Sequence, residues 1–194
     1  MGWIVWFAIL PAPAGADTDE LSLRPFAVIH QGEAAGPDER TADALSVGGG
    51  LLLGYGLDYH WSTTLRYQLD ITQALQSRAE TLGRSVRWRQ RRHVALAGLA
   101  VTSHDHFSPW LALEGGVAVR QVADGREVIT VTGQREATLP ETSDLITVAR
   151  ASAGLEWRVT DFWALALSGY GEWADAPGYG AALWIGWYHY LNLR

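Results

Sequence analysis

The residues of this chain that could do chemistry are mainly arginines and carboxylates at every second position of short apolar segments. Arg66 and Asp70, for example, alternate with large apolar residues, so both charges lie on one face of an extended strand. The residues predicted to share such a face are Arg66, Asp70, Arg87, Arg89, Arg91, Glu114, Arg120, Arg150, Glu156, Arg158 and Glu172. Since a charge removed from water needs a partner, we predict a network of ion pairs. A pore lined by these residues would favour anions, because arginine outnumbers carboxylate.

The sequence His-Asp-His at 104–106 suggests a metal site, because two imidazoles flank a carboxylate. A structural zinc site usually needs four ligands, however, and local spacing alone supplies three. The aspartate, together with the nearby serine and proline residues, already explains a turn at this position. We therefore expect neither a metal ion nor another cofactor.

A serine-type acyl-transfer site would need a serine, a histidine and an acid within reach of one another. The candidates are His93, Ser85, Ser152, Ser168 and Glu172, which lie at scattered positions. No histidine and serine stand two residues apart on one of the alternating segments, which would place both on one face. We expect no catalytic residue, and we interpret His93 as a hydrogen-bonding residue of the charged face.

The stretch GGGLLLGYGLDYHW, from Gly48 to Trp61, shows which kind of element positions these side chains. Between 45 and 57, large apolar residues fill most odd positions, and glycine or serine fills the even ones except Leu52. A helix is disfavoured because each interior glycine costs about 0.5–1 kcal/mol relative to alanine, whereas period two is typical of a strand. Segments with this alternation are 21–31, 45–57, 63–72, 86–100, 111–120, 149–158, 163–173 and 179–193.

The connections between these eight segments differ in character at the two ends. The short connections are 57–61, 103–110 and 159–163, and the others are 32–44, 76–85, 121–144 and the brief 174–178. Short turns at one end and longer loops at the other are typical of outer-membrane barrels, whose tilted strands need roughly 9–11 residues to cross a bilayer. The sequence therefore predicts an all-β fold, an eight-stranded antiparallel up-and-down transmembrane β-barrel.

The two faces of the strands indicate which side meets lipid. One face is rich in leucine, valine and isoleucine, and the other mixes glycine, alanine and serine with the charges. Small residues with a few charges fit the crowded interior of an eight-stranded barrel, whereas large apolar residues fit lipid. In 86–100 this rule assigns Val94 and Leu96 to the lipid face, and it places Arg87, Arg89 and His93 inside. A soluble lipocalin-like carrier would need the opposite arrangement.

Tryptophan is unusually frequent, with 10 residues in a chain of 194. Four of them stand at or beside the predicted short turns: Trp61, Trp110, Trp157 and Trp163. Because tryptophan is enriched where a membrane meets water, these four predict an aromatic girdle at one membrane interface.

The first residues predict export from the cytoplasm. An apolar run from Gly2 to Leu10 is followed by Ala14-Gly15-Ala16, which matches a small-residue cleavage site. We predict a signal peptide at 1–16 and a barrel domain at 17–194. The net charge of −6 argues against general nucleic-acid binding, and the absence of cysteine excludes a disulfide framework.

The stretches GGGLLLGYGLDYHWSTTLRYQL and GLEWRVTDFWALALSGYG resemble the small outer-membrane β-barrel family. This family includes the transmembrane domain of outer membrane protein A and the opacity-type proteins. In it, a glycine-rich strand runs into a turn of the Thr-Asp-x-Trp type and a further alternating strand. The resemblance implies eight strands and the outer membrane of a Gram-negative-type bacterium. This chain departs from the family in ending with Arg194, where an aromatic residue is usual.

The charge pattern and the resemblance leave more than one function open. The first hypothesis is a structural or surface-interaction role, with a narrow pore as a variant of it. The alternative is a lipid A-modifying enzyme, a deacylase or acyltransferase, and a soluble carrier is less favoured. We expect a monomer in contact with outer-membrane lipid and lipopolysaccharide, whose phosphates the basic run RSVRWRQRRH at 84–93 could meet. Any extracellular or periplasmic protein partner is left open.

Overall fold

The computed structural model describes residues 20–35, 41–58, 60–79, 84–103, 106–129 and 135–190. The predicted signal peptide at 1–16 and residues 104–105 lie outside these ranges. The residues within these ranges form no helix that is long and apolar enough to cross a membrane.

Nine strands make up most of the described chain. They are β1 Glu20–Ala35, β2 Thr41–Gly56, β3 Trp61–Ala79, β4 Arg84–Thr102, β5 Phe107–Ile129, β6 Arg135–Thr138, β7 Thr142–Arg158, β8 Trp163–Trp173 and β9 Gly178–Tyr190. Each predicted alternating segment lies within or overlaps one of these strands. Most strands, however, extend further at their loop ends than predicted. For example, β1 and β2 stay paired as far as Ala35 and Thr41.

The eight long strands close into a ring. Each pairs antiparallel with the next in the order β1-β2-β3-β4-β5-β7-β8-β9, and β9 pairs with β1. Ala27 on β1, for example, lies opposite Gly49 on β2 and opposite Leu183 on β9. The short strand β6 is additional and pairs with the loop end of β5. The predicted eight-stranded up-and-down barrel is confirmed.

Side chains alternate between the outside and the inside of this ring. On β8, Leu165 and Leu167 are exposed, whereas Ala166 and Ser168 are buried. Leu167 is 62% exposed although it is apolar, and such residues form a belt around the barrel. On β3 the belt runs from Trp61 to Ile71. These ten residue steps correspond to about 25 Å of height at a tilt of about 40°, which matches the apolar band that a transmembrane barrel presents to lipid.

Two of the short turns are held by side-chain caps. Asp58 Oδ1 accepts hydrogen bonds from the backbone N–H groups of the residues two and three positions later, both at 2.7 Å. Thr160 Oγ1 does the same at 3.3 and 3.1 Å. Asp and Thr side chains of this kind replace backbone turn contacts, so Leu-Asp and Val-Thr segments fold locally into tight turns. These turns lie at the predicted positions.

For β4, the prediction of which face points into the barrel is wrong. Val94 and Leu96 point into the barrel, where they pack with Ala118 and Val148 in an apolar cluster. The physical reason is that the turn-side half of β4 has small or apolar residues on both faces, so the alternation does not determine which face is inside. Reversing the faces of β4 turns its odd-numbered arginines outward.

Trp110 is a second correction, because it points inward and does not join the girdle. It is 5% exposed, and its ring meets that of Trp184 edge to face with centroids 6.1 Å apart. A Cβ atom at Gly154 would lie 2.6 Å from Trp110 Nε1, so glycine lets this ring pack against β7. Its position beside a turn suggested that it belongs to the girdle. Trp110 is, however, an even number of residues from buried Glu114 on the same strand, so both side chains point into the barrel. The exposed members of the predicted girdle are Trp61, Trp157 and Trp163.

Candidate functional site

The loop-side half of the barrel interior contains a cluster of charges centred on Glu172. This carboxylate lies on β8, is 2% exposed, and accepts hydrogen bonds from arginines on two other strands. Arg150 on β7 donates through Nη2 at 2.6 Å and through Nε at 3.2 Å, and Arg92 on β4 donates through Nη2. One buried carboxylate between two guanidinium groups leaves an excess of positive charge, which requires a second acid.

Asp70 on β3 supplies the second acid. Its Oδ2 lies 4.0 Å from Arg92 Nε, and its Oδ1 accepts a hydrogen bond from Gln68 Nε2 at 2.7 Å. Gln68 Oε1 in turn accepts from Arg150 Nη1 at 2.8 Å. Two acids and two arginines thus form a charge-balanced network that joins β3, β4, β7 and β8 across the interior. Such a network restricts the register of all four strands, because each polar atom needs its partner.

Two aromatic side chains cover this network. The Arg150 guanidinium lies over the Tyr170 ring at 4.2 Å from its centroid, a cation–π contact. The Tyr170 hydroxyl lies 3.1 Å from His30 Nδ1, and the two rings are stacked with centroids 5.9 Å apart. The Tyr170 ring lies against Gly180, where a Cβ atom would be only 2.5 Å from it. Glycine on β9 therefore makes room for the ring.

A second buried ion pair lies nearer the turns. Arg66 Nε donates to both Glu114 oxygens, at 3.0 and 3.1 Å, and Thr64 Oγ1 donates to Glu114 at 3.3 Å. The two charged side chains are 6% and 0% exposed. The Arg66 guanidinium also lies over the Phe26 ring at 5.1 Å. This pair joins β3 to β5 through the lumen.

A third cluster closes the turn-side end of the interior. Arg158 Nε donates to Glu156 Oε1 at 3.2 Å, and Arg158 Nη2 donates to Glu20 at 3.2 Å. The Tyr188 hydroxyl donates to Glu156 Oε2 at 2.6 Å. The guanidinium of Arg24 lies 5.1 Å from the Tyr188 ring centroid. Strands β1, β7 and β9 meet at this cluster, so it ties the first strand both to β7 and to the last strand.

At the loop-side rim, Arg120 pairs with two carboxylates. Its Nη2 lies 3.4 Å from Asp144 and its Nη1 contacts Asp175. Between Arg120, Arg92 and His30 lies a cavity of about 20 Å³. A cavity of this size holds about one water molecule.

Most predicted members of the charge network lie inside the barrel. They are Arg66, Asp70, Glu114, Arg120, Arg150, Glu156, Arg158 and Glu172. Arg87 and Arg89 do not belong to it, because both are exposed on the outer surface of β4, as is Arg91. Their neighbours Val86 and Trp88 are 0% and 1% exposed and fill the interior instead. Burying an apolar tryptophan is favourable, whereas burying unpaired arginines is not.

The sequence reasoning missed Arg92, Gln68 and Tyr170 as network members. Arg92 lies on the even-numbered face of β4, and Trp88 on that face was the signal that could have identified it. Gln68 and Tyr170 were placed on the interior face by alternation, but being uncharged they were not selected. Their role depends on what lies opposite them across the lumen.

The histidine positions also differ from the expectation. His93 lies on the outer surface of β4, where Nδ1 is 2.8 Å from the Tyr67 hydroxyl, so its interior placement was wrong. The imidazole rings of His30 and His93 thus both hydrogen-bond to tyrosine hydroxyls. In the part of the chain that is described, no three histidine or carboxylate side chains form a group that could hold a metal ion.

A closed ring of eight antiparallel strands, apolar outside and ion-paired inside, defines the fold of the small outer-membrane β-barrels. The fold implied by the resemblance is confirmed by solved structures of such proteins. Ail, the attachment invasion locus protein of Yersinia pestis, solved in complex with a heparin analogue, has a TM-score of 0.57 at 13% identity, covering 88% of this chain and 99% of that one. The outer membrane protein OprG of Pseudomonas aeruginosa has a TM-score of 0.57 at 11% identity, with 91% and 99% covered.

Neisserial surface protein A is a third similar structure, with a TM-score of 0.52 at 8% identity, covering 86% of this chain and 96% of that one. No protein-family model matches the sequence, and no curated protein matches it. Identities this low establish the common fold.

Proposed function

We propose that this protein is an outer-membrane barrel with a closed interior that acts through its outer surface and loops. The apolar belt supports insertion into a bilayer, and the predicted signal peptide at 1–16 would direct the chain to the outer membrane of a Gram-negative-type bacterium. Since the ring closes within one chain, the barrel needs no second copy, and we propose that it is a monomer.

The filled interior is the observation that carries this proposal. The Glu172 cluster, the Arg66–Glu114 pair and the Arg158 cluster occupy successive levels of the lumen. Between them lie apolar side chains, among them Trp110, Trp184 and Leu52. A channel needs a continuous water-filled path, whereas these layers form a packed and ion-paired core. The pore variant of the hypothesis is therefore disfavoured.

Planar-bilayer recording tests the closed interior directly. Refolded protein, its folding verified by a heat-dependent shift on gels, would be inserted into a bilayer in potassium chloride. We expect the current of the bare bilayer, with no unitary steps, because no ion can pass the arginine–carboxylate layers without breaking them. Stable anion-selective steps that appear only with folded protein would refute the closed interior and restore the pore hypothesis.

A further inference from the structure

Four arginines stand together on the outer surface of the barrel. Arg87, Arg89 and Arg91 lie on β4, and Arg126 lies opposite Arg87 on β5. All four are exposed, and we refer to them as the arginine ladder. They lie on the outer face of the barrel wall, which is apolar closer to the short turns. They take no part in the ion pairs of the interior.

The ladder begins where the apolar belt ends. Arg91 is paired with Ile71 on β3, which is the last exposed apolar residue described on that strand. Leu145 on β7, which is 71% exposed, lies at the top of the belt close to Arg91. It pairs with Val119 on β5, which is two residues closer to the turns than Gln121, and Gln121 is the β5 partner of Arg91. With the longer loops outside the cell and the short turns on the periplasmic side, the usual orientation of outer-membrane barrels, this is the level of the outer-leaflet headgroups.

The positive charge of the ladder is only partly balanced within the protein. Arg89 Nη1 lies 3.5 Å from Asp124, and both side chains are mostly exposed. Arg87 and Arg126 are directly opposite each other, an arrangement that is destabilising for two like charges on neighbouring strands. Among the described side chains, neither forms an ion pair. An external anion lying between them would relieve this repulsion.

A groove of about 450 Å³ adjoins the ladder. It is lined by Arg89 and Arg91 on β4, by Gln121 and Asp124 on β5, by Glu141 just before β7, and by Ser143 on β7. Guanidinium groups bind phosphate in a bidentate manner, and amide, hydroxyl and carboxylate groups suit sugar hydroxyls. The groove therefore combines the chemistry for a phosphorylated sugar, with exposed apolar residues directly below it.

We propose that the arginine ladder and this groove bind the phosphorylated glucosamine headgroup of lipopolysaccharide in the outer leaflet. The phosphates contact Arg87, Arg89, Arg91 and Arg126, and the acyl chains lie on the belt beside Leu145. Charge complementarity and continuity with the apolar belt select this lipid over a soluble anion, which would have no use for the belt. The inference rests on the outer-membrane location given above, because it needs an anionic lipid at this height.

The test uses the full-length protein in detergent micelles, with diphosphoryl lipid A and its dephosphorylated form as probes. The readout is the unfolding temperature at increasing lipid, which gives an apparent affinity. Wild-type protein should be stabilised by diphosphoryl lipid A and much less by the dephosphorylated form. The double variant Arg89→Gln, Arg91→Gln should bind diphosphoryl lipid A about tenfold more weakly or worse, since two charged hydrogen-bonding groups are lost.

The matched control changes the same amount of charge at the other end of the barrel. Leu57→Asp with Val159→Asp also makes the protein more negative by two charges, on exposed turn residues. Its affinity should equal that of the wild type. Should the double arginine variant not fold, the single variant Arg91→Gln replaces it, with Arg91→Lys expected to retain part of the affinity.

The proposal is overturned if the ladder variant binds as tightly as the wild type. Equal stabilisation by dephosphorylated lipid A, or by inorganic phosphate alone, would likewise overturn it, as would an equal loss in the control. The conductance recording does not involve the ladder. A conducting barrel that still binds lipid A through these arginines would therefore refute the closed interior alone.

Discussion

At the scale of single residues, four of the interior arginines share one pattern. Each guanidinium lies over an aromatic ring: Arg24 over Trp184 and Tyr188, Arg66 over Phe26, Arg150 over Tyr170, and Arg158 over Tyr188. Three of the four also pair with a carboxylate. Arginine suits this position better than lysine, because its planar group stacks on a ring while its edge donates hydrogen bonds. The lumen is thus filled by alternating rings and charges.

Glu172 is the residue whose loss should matter most. Glu172→Ala removes the carboxylate that pairs with Arg150 and the nearer of the two carboxylates that pair with Arg92. Both arginine side chains are buried. We expect the free energy of unfolding to fall by about 3–5 kcal/mol, the usual cost of breaking a buried ion pair on one side. Urea unfolding from lipid vesicles, followed by tryptophan fluorescence, measures this change.

Glu136→Ala provides the matched control, because Glu136 is an exposed carboxylate on β6. Its removal should change the free energy of unfolding by less than about 0.5 kcal/mol. Glu172→Gln should lie between the two, since the amide keeps an acceptor oxygen but loses the charge. A Glu172→Ala variant as stable as Glu136→Ala would show that the network contributes nothing to stability.

At the scale of the strand, alternation gives each element two chemically different faces. β8 illustrates this, because exposed Leu165 and Leu167 flank buried Ala166, and Ser168 continues the interior row. The depth along the strand matters as well. Leu167 lies four residues above the turn-side Trp163 and so near the middle of the belt, whereas Leu145 on β7 lies at its upper edge.

This difference in depth predicts two unequal effects of the same substitution. Leu167→Arg should cost about 2–4 kcal/mol of unfolding free energy, because it places a charge at the bilayer midplane. Leu145→Arg should cost about 0–1 kcal/mol, since its guanidinium reaches the interface. The same urea titration in vesicles compares both with the wild type. Equal costs would mean that the two leucines do not differ in depth, and a harmless Leu167→Arg would mean that this face does not meet lipid.

At the scale of the whole molecule, ring closure leaves no edge strand in the barrel wall. β1 and β9 pair along most of their length, from Glu20 opposite Tyr190 to Gly32 opposite Gly178. The closed wall should resist detergent, so folded protein should migrate differently on a gel before and after boiling. The capped turns lie at one end, and the extended hairpins lie at the other.

Orientation in the membrane can be tested by limited proteolysis of whole cells. We expect cleavage within 32–44 and 121–144, because hairpins that extend beyond the belt face outward in the proposed orientation. The turns at 57–61 and 159–163 should remain intact until the cells are opened. Mass spectrometry of the fragments identifies the sites. The reverse pattern would invert the topology, and cleavage of both sets on intact cells would mean that the barrel does not close in the membrane.

The sequence by itself determined the features that depend on neighbouring residues. Period two established the strands and, for most of them, the interior face, while the capping side chains of Asp58 and Thr160 established two short turns. These signals are local, because side-chain direction follows from parity and a cap reaches two or three residues. Eight such strands with one apolar face close most simply as a barrel.

Only the tertiary structure decided the features that depend on residues across the lumen. Arg92 and Glu172 are 80 residues apart and meet because the ring closes with one particular register. The sequence of β4 alone did not determine which of its faces is buried. The inward face is the one with Val94 and Leu96, because these residues pack against Ala118 and Val148. Alternation specifies that two faces differ, but packing partners decide which face is buried. For β4 that choice moved the arginine ladder to the outside of the protein.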